Sequence, residues 1–198
     1  MNSESLSSRL ILASSSKYRK ILLNRFGIPF ECQSPEIDET AHNHESPFEL
    51  VERLAAEKAE AINRAHPRAI VIGSDQLAVF NGQIIGKPGT HQAALEQLTS
   101  FSGQVVEFLT AVSVQSMENS FKEQYTDRTR VCFRTLQADE IERYLEKEKP
   151  FDCAGAFKAE SLGITLFERI SCEDPTALIG LPLIRTAAML RRAGLQLP

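Results

Sequence analysis

Ile70-Val71-Ile72 runs directly into Gly73-Ser74-Asp75-Gln76. The pattern predicts an apolar strand that ends at a carboxylate. Ligands of open α/β sheets bind at the carboxyl ends of strands. Asp75 is therefore the first candidate for chemistry, with a strand-end turn former as the plainer alternative. Four further groups bear on it. Leu10 to Ala13 reads as a short strand leading into Ser14-Ser15-Ser16 and a helix. Such a junction offers hydroxyls and free amides to a phosphate. Arg19 sits in that helix's first turn, where a carboxylate would suit the dipole better, and a bound anion would relieve the mismatch. An ordinary serine cap with a solvated arginine is the competing reading. Lys58 falls on the apolar stripe Val51, Leu54, Ala55 and Ile62 of a second helix. It either snorkels to the core's edge or aims an ammonium into a cleft.

Asn81-Gly82 is a type I′ turn signal. A two-residue turn there pairs Gln76 with Lys87 and brings Lys87 to the end of the hairpin that carries Asp75. Strict alternation places Asp75 and Lys87 on opposite faces. One shared pocket then requires a bulge or a strand end. Phe157-Lys158-Ala159-Glu160 lies in a stretch rich in Ala and Gly. It reads as a ligand-binding loop or as a surface turn with a solvated Lys/Glu pair. Arg19, Lys58, Lys87 and Lys158 opposed by Glu39 and Asp75 are what metal-assisted phosphoryl chemistry requires. No P-loop, Gly-x-Ser-x-Gly elbow or Cys/His signature is present.

These residues must be positioned by ordinary elements. A helix is predicted over Lys17–Phe26, stopped by Gly27. Ser46-Pro47-Phe48-Glu49 starts another with a capping box and Pro at N1, running to about Ala65. Strands are predicted at Phe30–Cys32, Ala69–Ile72, Leu77–Phe80, Gln83–Ile85, Val105–Gln115, Thr126–Arg134 and Ile164–Phe167. Helices are predicted at Thr90–Ser100, Ala138–Lys147 and Pro182–Ala193. Strands mixed with helices, including a hairpin, imply a mixed α/β sheet. Residues 1–8 read as a polar extension, and 9–198 as one domain.

The chain has 198 residues, 42% of them hydrophobic, enough for a substantial core. The net charge of −4 argues against a polyanion-binding surface but leaves a small phosphorylated ligand open. No segment reads as a signal peptide or membrane span. Cys32, Cys132, Cys153 and Cys172 are widely spaced, which suits reduced thiols in the cytoplasm. His42 and His44 have no further metal ligands nearby.

At these residues the chain resembles the Maf family of nucleoside triphosphate pyrophosphatases. The matching pieces are residues 10–19, Glu36 to Thr40, Glu57-Lys58-Ala59, Gly73-Ser74-Asp75-Gln76, Gly86-Lys87-Pro88, Cys153 to Glu160 and Gly180-Leu181-Pro182-Leu183. They occur in the family's order and span nearly the whole chain. The resemblance implies an elongated α/β domain with a cleft between two lobes, similar to inosine-triphosphatase-like folds. It implies hydrolysis between the α and β phosphates, with Asp75 as proton acceptor. Ser14, Arg19, Glu39, Lys58 and Lys87 match the family's polar cleft positions.

Tyr18, Gln76 and Glu160 match its specificity positions. The branch acting on dTTP and UTP has arginine, threonine and glutamine there. The branch acting on 7-methyl-GTP has an aromatic residue, glutamine and glutamate, and this chain resembles it, with tyrosine in place of the expected tryptophan. The expectation is a cytoplasmic 7-methyl-GTP pyrophosphatase with a small-molecule substrate and no polymer or membrane partner. Glu39 and Asp75 hold a divalent cation, Mg2+ or Mn2+. Asp75, Lys58 and Lys87 serve catalysis, while Ser14, Ser15, Arg19 and Lys158 bind substrate. A homodimer is implied by family analogy. The alternatives are the same reaction on dTTP or UTP, and a non-enzymatic nucleotide-binding regulator of cell division.

Overall fold

The computed structural model describes residues 9–197. The expected polar extension over residues 1–8 lies outside them. Strand β1 (Leu10–Ala13) is fully buried and leads into α1 (Lys17–Leu23). A short 3-10 turn, Asn24–Phe26, carries the chain to Gly27, whose φ of 66° stops the helix as expected. After β2 (Glu31–Cys32), α2 (Pro47–Ala65) starts on the predicted capping box. The Ser46 hydroxyl accepts from the Glu49 amide at 3.2 Å, and the Ser46 amide donates to the Glu49 carboxylate at 2.9 Å. Then follow β3 (Ile70–Phe80), β4 (Gln83–Ile85), α3 (His91–Phe101), β5 (Val105–Ser116) and β6 (Phe121–Phe133). The chain closes with α4 (Ala138–Glu148), β7 (Phe167–Ser171) and α5 (Leu183–Arg192).

These strands form one seven-stranded sheet in the order β2-β1-β3-β5-β6-β7, with β4 also paired to β3. β1 runs parallel to β2 and β3, and the other pairings are antiparallel. The sheet is mixed, as expected. Two core clusters share its long strands. β5 gives Val106 and Phe108 to the cluster around Leu98, Phe101 and Leu145. It gives Val112 and Val114 to the cluster around Leu22, Leu181 and Leu190. Among the described residues, no helix is long and apolar enough to cross a membrane.

Three strands differ from expectation. No strand ends at Ile72: β3 continues through Asp75 to Phe80, because β5 pairs with it from Val71 to Val79 and consumes its backbone groups. β6 starts at Phe121, five residues before the predicted Thr126, since pairing with β5 holds Lys122 to Tyr125 despite their polarity. Leu162–Leu166 is a 3-10 turn, so the strand predicted from Ile164 begins only at Phe167. There the Thr165 hydroxyl donates to the Leu162 carbonyl at 2.8 Å, a local bond that competes with strand pairing.

The free edge of β3 creates the site. β1 covers it from Ile70 to Gly73, and β4 covers it from Ala78 to Phe80. Ser74 to Leu77 lie between them, so the sheet has a gap at that point. Helix α2 crosses β3 directly over Gly73. A Cβ on Gly73 would stand 2.2 Å from the Ala55 carbonyl oxygen and 2.6 Å from the Ala59 nitrogen. Only a bare backbone allows that approach. Gly73→Ala should therefore overpack the contact and lower unfolding free energy by about 1–3 kcal/mol. Denaturant titration checks this, and an unchanged midpoint would contradict the packing.

Candidate active site

The gap opens on a cleft of about 840 Å³, within the range of small-ligand sites. Its wall includes Ser14, Ser15, Tyr18, Arg19, Glu39, Lys58, Asp75, Gln76, Lys87, Lys158 and Glu160, so every predicted site residue lines it. No bulge is needed to unite Asp75 with Lys87. The turn is the predicted one, with Asn81 at φ 50° and Gly82 at φ 78°, and Phe80 pairs with Gln83. Pairing stops at Ile85, leaving Lys87 beyond the strand end. Because the sheet is open at the gap, residues from both of its faces reach the same space.

Asp75 and Lys58 are only 8% and 7% exposed. The Lys58 ammonium donates to Asp75 Oδ1 at 2.7 Å and lies 2.6 Å from Glu39 Oε1. It does not snorkel outward; it bridges two carboxylates. The close approach at Gly73 brings this turn of α2 onto β3 and so lets the ammonium reach Asp75. Glu39 stands on a loop, more exposed than either partner. Arg53 anchors that loop from α2. Its guanidinium donates to the Thr40 carbonyl at 2.9 Å and to both Glu45 carboxylate oxygens at 2.6 and 2.9 Å. A further bond reaches Glu57 at 3.0 Å.

Arg19 donates through Nε to the Gly180 carbonyl at 3.0 Å and through Nη1 to the Ser14 hydroxyl at 3.4 Å. It retains some solvent contact yet is enclosed by protein. Desolvation pulls its pKa below the ordinary arginine value, and the charges of Asp75 and Glu39 oppose that shift. The Gly180 carbonyl also accepts from the fully buried Ser74 hydroxyl at 3.1 Å. Gly180 holds a φ of 127°, open only to glycine. Ser16, not Ser14 or Ser15, caps α1, accepting from the Arg19 amide at 3.4 Å. The buried Ser14 hydroxyl accepts from the Ser16 amide at 3.1 Å, and Ser15 is exposed in the cleft.

The opposite wall is built from acceptors. The Gln76 amide nitrogen donates to Thr110 Oγ1 at 2.9 Å and to the carbonyls of Ala177 and Leu178 at 3.0 and 3.1 Å. Carbonyls only accept, so these partners fix the nitrogen's identity and leave Oε1 as the group free for a ligand. Thr110 is fully buried and donates in turn to Ala177. Glu160 is exposed and lines the same cleft. Tyr18 OH lies 3.4 Å from Cys153 Sγ, with the Lys17 ammonium 5.0 Å from its ring centroid. Burial, then the Cys153 contact, pushes the Tyr18 phenol well above its usual range. Burial likewise pushes the Cys153 thiol up to about 11. Lys87 is exposed, and Lys158 pairs with Glu148 at 3.2 Å instead of presenting a free cation.

Sequence reasoning missed Arg53, Glu45, Thr110 and Glu148. The Arg53/Glu57 spacing hinted at one helical ion pair, but nothing local foretold the loop it holds. All four cysteines are free, and no group of three or more His, Cys, Asp or Glu side chains gathers for a metal among the described residues.

The sequence model of the Maf-like proteins matches residues 9–193. The chain belongs to the Maf family. This Maf chain is 52% identical over 191 residues to a 7-methyl-GTP pyrophosphatase of Aromatoleum aromaticum, covering 96% of the chain and 98% of the relative. A protein of the same name from Xanthomonas axonopodis pv. citri is 53% identical over 190 residues, covering 96% and 99%. Another from Hydrogenovibrio crunogenus is 46% identical over 198 residues, covering 100% and 99%. The solved Ham1 protein of Staphylococcus aureus aligns with a TM-score of 0.47 at 15% identity, covering 65% of this chain and 73% of its own.

The Arg53 anchor carries a pH signature. Hydrogen bonds from Arg53 pull the Glu45 carboxyl from 4.5 down to about 2. A depressed folded pKa stabilises above the unfolded value, and that contribution is lost as pH falls from about 4.5 toward 2. The melting temperature of wild type should exceed that of Arg53→Met at pH 6, and the gap should narrow steadily toward pH 3. A gap independent of pH would contradict the anchor.

Proposed function

We propose that this chain hydrolyses 7-methyl-GTP to 7-methyl-GMP and pyrophosphate. One observation carries the reading: the Glu39–Lys58–Asp75 charge cluster shares a cleft with hydrogen-bond acceptors at Gln76 and Glu160. The names of the relatives support the same activity. Guanine presents N1–H and an exocyclic amine side by side. The Glu160 carboxylate accepts such a pair with charge assistance, and Gln76 adds Oε1. Methylation at N7 makes the ring cationic, which a carboxylate and the Tyr18 face favour over neutral guanine. Thymine and uracil lack the donor pair.

Asp75 takes the proton of the water that attacks the α-phosphorus, and the bond to the bridging oxygen of the leaving pyrophosphate breaks. Lys58 fixes Asp75 and Glu39 through its ion pairs. Arg19 and Lys87 offset triphosphate charge, and Ser14 and Ser15 orient phosphate oxygens. Glu39 and Asp75 each give Lys58 one carboxylate oxygen, and their second oxygens would hold a divalent ion beside it. Two hard carboxylate donors would suit Mg2+ or Mn2+. When bound, the ion supplies charge neutralisation at the phosphoryl oxygens. Free thiols support a cytoplasmic location, and a homodimer follows the family analogy.

The test is pyrophosphate release over a panel of 7-methyl-GTP, GTP, dTTP and UTP, on wild type and Glu160→Gln. Wild type should rank 7-methyl-GTP first. Losing a charge-assisted pair should cost Glu160→Gln about 10-fold or more of that preference. Pyrimidine triphosphates ranked first would refute the assignment in favour of the dTTP/UTP reading.

A further inference from the structure

Glu160 is exposed, yet a carboxylate that selects a base must stand in a fixed place. The turn that carries it is held at both shoulders by one residue outside it. Glu148, the last residue of α4, accepts from Lys158 Nζ on its carboxylate at 3.2 Å and on its backbone carbonyl at 3.0 Å. Its other carboxylate oxygen accepts from the Ser161 hydroxyl at 2.8 Å and the Leu162 amide at 3.1 Å. Lys158 precedes Glu160 by two residues, and Ser161 and Leu162 follow it. Tyr144, one turn earlier on α4, accepts from the Lys158 amide at 3.2 Å.

The turn is tight as well as anchored. A Cβ on Gly163 would lie 2.4 Å from the Lys158 carbonyl oxygen. The Ser161 amide closes back on that carbonyl at 3.3 Å. On the near side, Phe157 is buried edge-on against Phe108, Phe133 and Phe167, with ring centroids 4.8 to 5.7 Å apart. Desolvation pushes the Glu148 carboxyl upward, but bonds from Ser161, Lys158 and Leu162 outweigh it and hold the group below the usual range. The ammonium of Lys158 also sits at the C-terminus of α4, where the helix dipole favours a cation.

We propose that Glu148 is a positioning residue for base selection, clamping the Lys158–Leu162 turn so that Glu160 meets the base, and that Lys158 serves this clamp and not the triphosphate. The inference rests on the reading of Glu160 as the base-selecting carboxylate. Glu160 accounts for the selection; Glu148 accounts for where Glu160 stands.

The experiment compares wild type, Glu148→Ala, Lys158→Met, their double variant, and Glu160→Gln alone and combined with Glu148→Ala. One readout is the ratio of kcat/KM for the best nucleotide of the wild-type panel to that for the worst. The other is hydrogen–deuterium exchange over residues 157–163. Glu148→Ala and Lys158→Met should each lower the ratio about 10-fold or more, mainly through KM of the preferred nucleotide. Each should also speed exchange in the turn, and the double variant should be no worse than the singles. Adding Glu148→Ala to Glu160→Gln should leave the ratio where Glu160→Gln put it.

If Lys158→Met slows every nucleotide by one factor with the ratio kept, Lys158 binds phosphate and the clamp is overturned. A ratio kept in Glu148→Ala despite faster exchange overturns it equally. If wild type prefers another base over 7-methyl-GTP, the proposed function fails on its own, and the clamp is judged on that preferred base. Should Glu148→Ala not fold, Glu148→Gln replaces it, since one acceptor oxygen can still hold Ser161 and Leu162; its ratio should fall between wild type and Lys158→Met.

Discussion

The contact of α2 with bare backbone at Gly73 is the constraint on which the site depends. Ala55 and Ala59 rest on the strand there, so the helix lies closer than any side chain would permit. At that distance the Lys58 ammonium reaches Asp75 and meets Glu39 from the loop above. A buried charge needs partners, and removing one partner of a buried pair costs about 3–5 kcal/mol. The same contact thus sets packing and places the Lys58–Asp75 pair. Helix α2 serves twice, because its Arg53 also ties down the loop that brings Glu39.

The second constraint is topological. β1 and β4 share one edge of β3 without meeting. The four residues left between them include Asp75 and Gln76, which point to opposite faces of the sheet. In a continuous sheet those faces would be separate environments. Here the acid joins α2, while Gln76 is locked by the Ala177 and Leu178 carbonyls on the other side. The buried ion pair and the locked amide therefore come from adjacent residues of one strand. β5 contributes to both core clusters, Val106 and Phe108 to one and Val112 and Val114 to the other.

Much of this was legible in the chain. The capping box at Ser46, the Asn81-Gly82 turn and the Gly27 stop are local signals, and each stands where the residues put it. Lys58 on an apolar stripe was a true sign of a charge aimed inward. What escaped was set by distant partners. Gly73-Ser74-Asp75-Gln76 looked like a strand end because the pairing that continues the strand comes from β5, more than thirty residues on. The clamps of Arg53 and Glu148 escaped for the same reason: neither side chain is unusual until the loop it holds is in place. Lys158, expected to face the cleft as a cation, lines it with its charge matched by Glu148, a partner ten residues away that no local pattern announced.

Whether Asp75 is a catalytic group held by Lys58 or a structural acid is decided by one comparison. The direct measurement is kcat for pyrophosphate release from 7-methyl-GTP with Mg2+ by wild type and Asp75→Asn, alongside thermal melting of both. Asp75→Asn should lower turnover by about 10²–10⁴-fold and still unfold cooperatively. A folded Asp75→Asn protein turning over at nearly the wild-type rate would contradict the catalytic role.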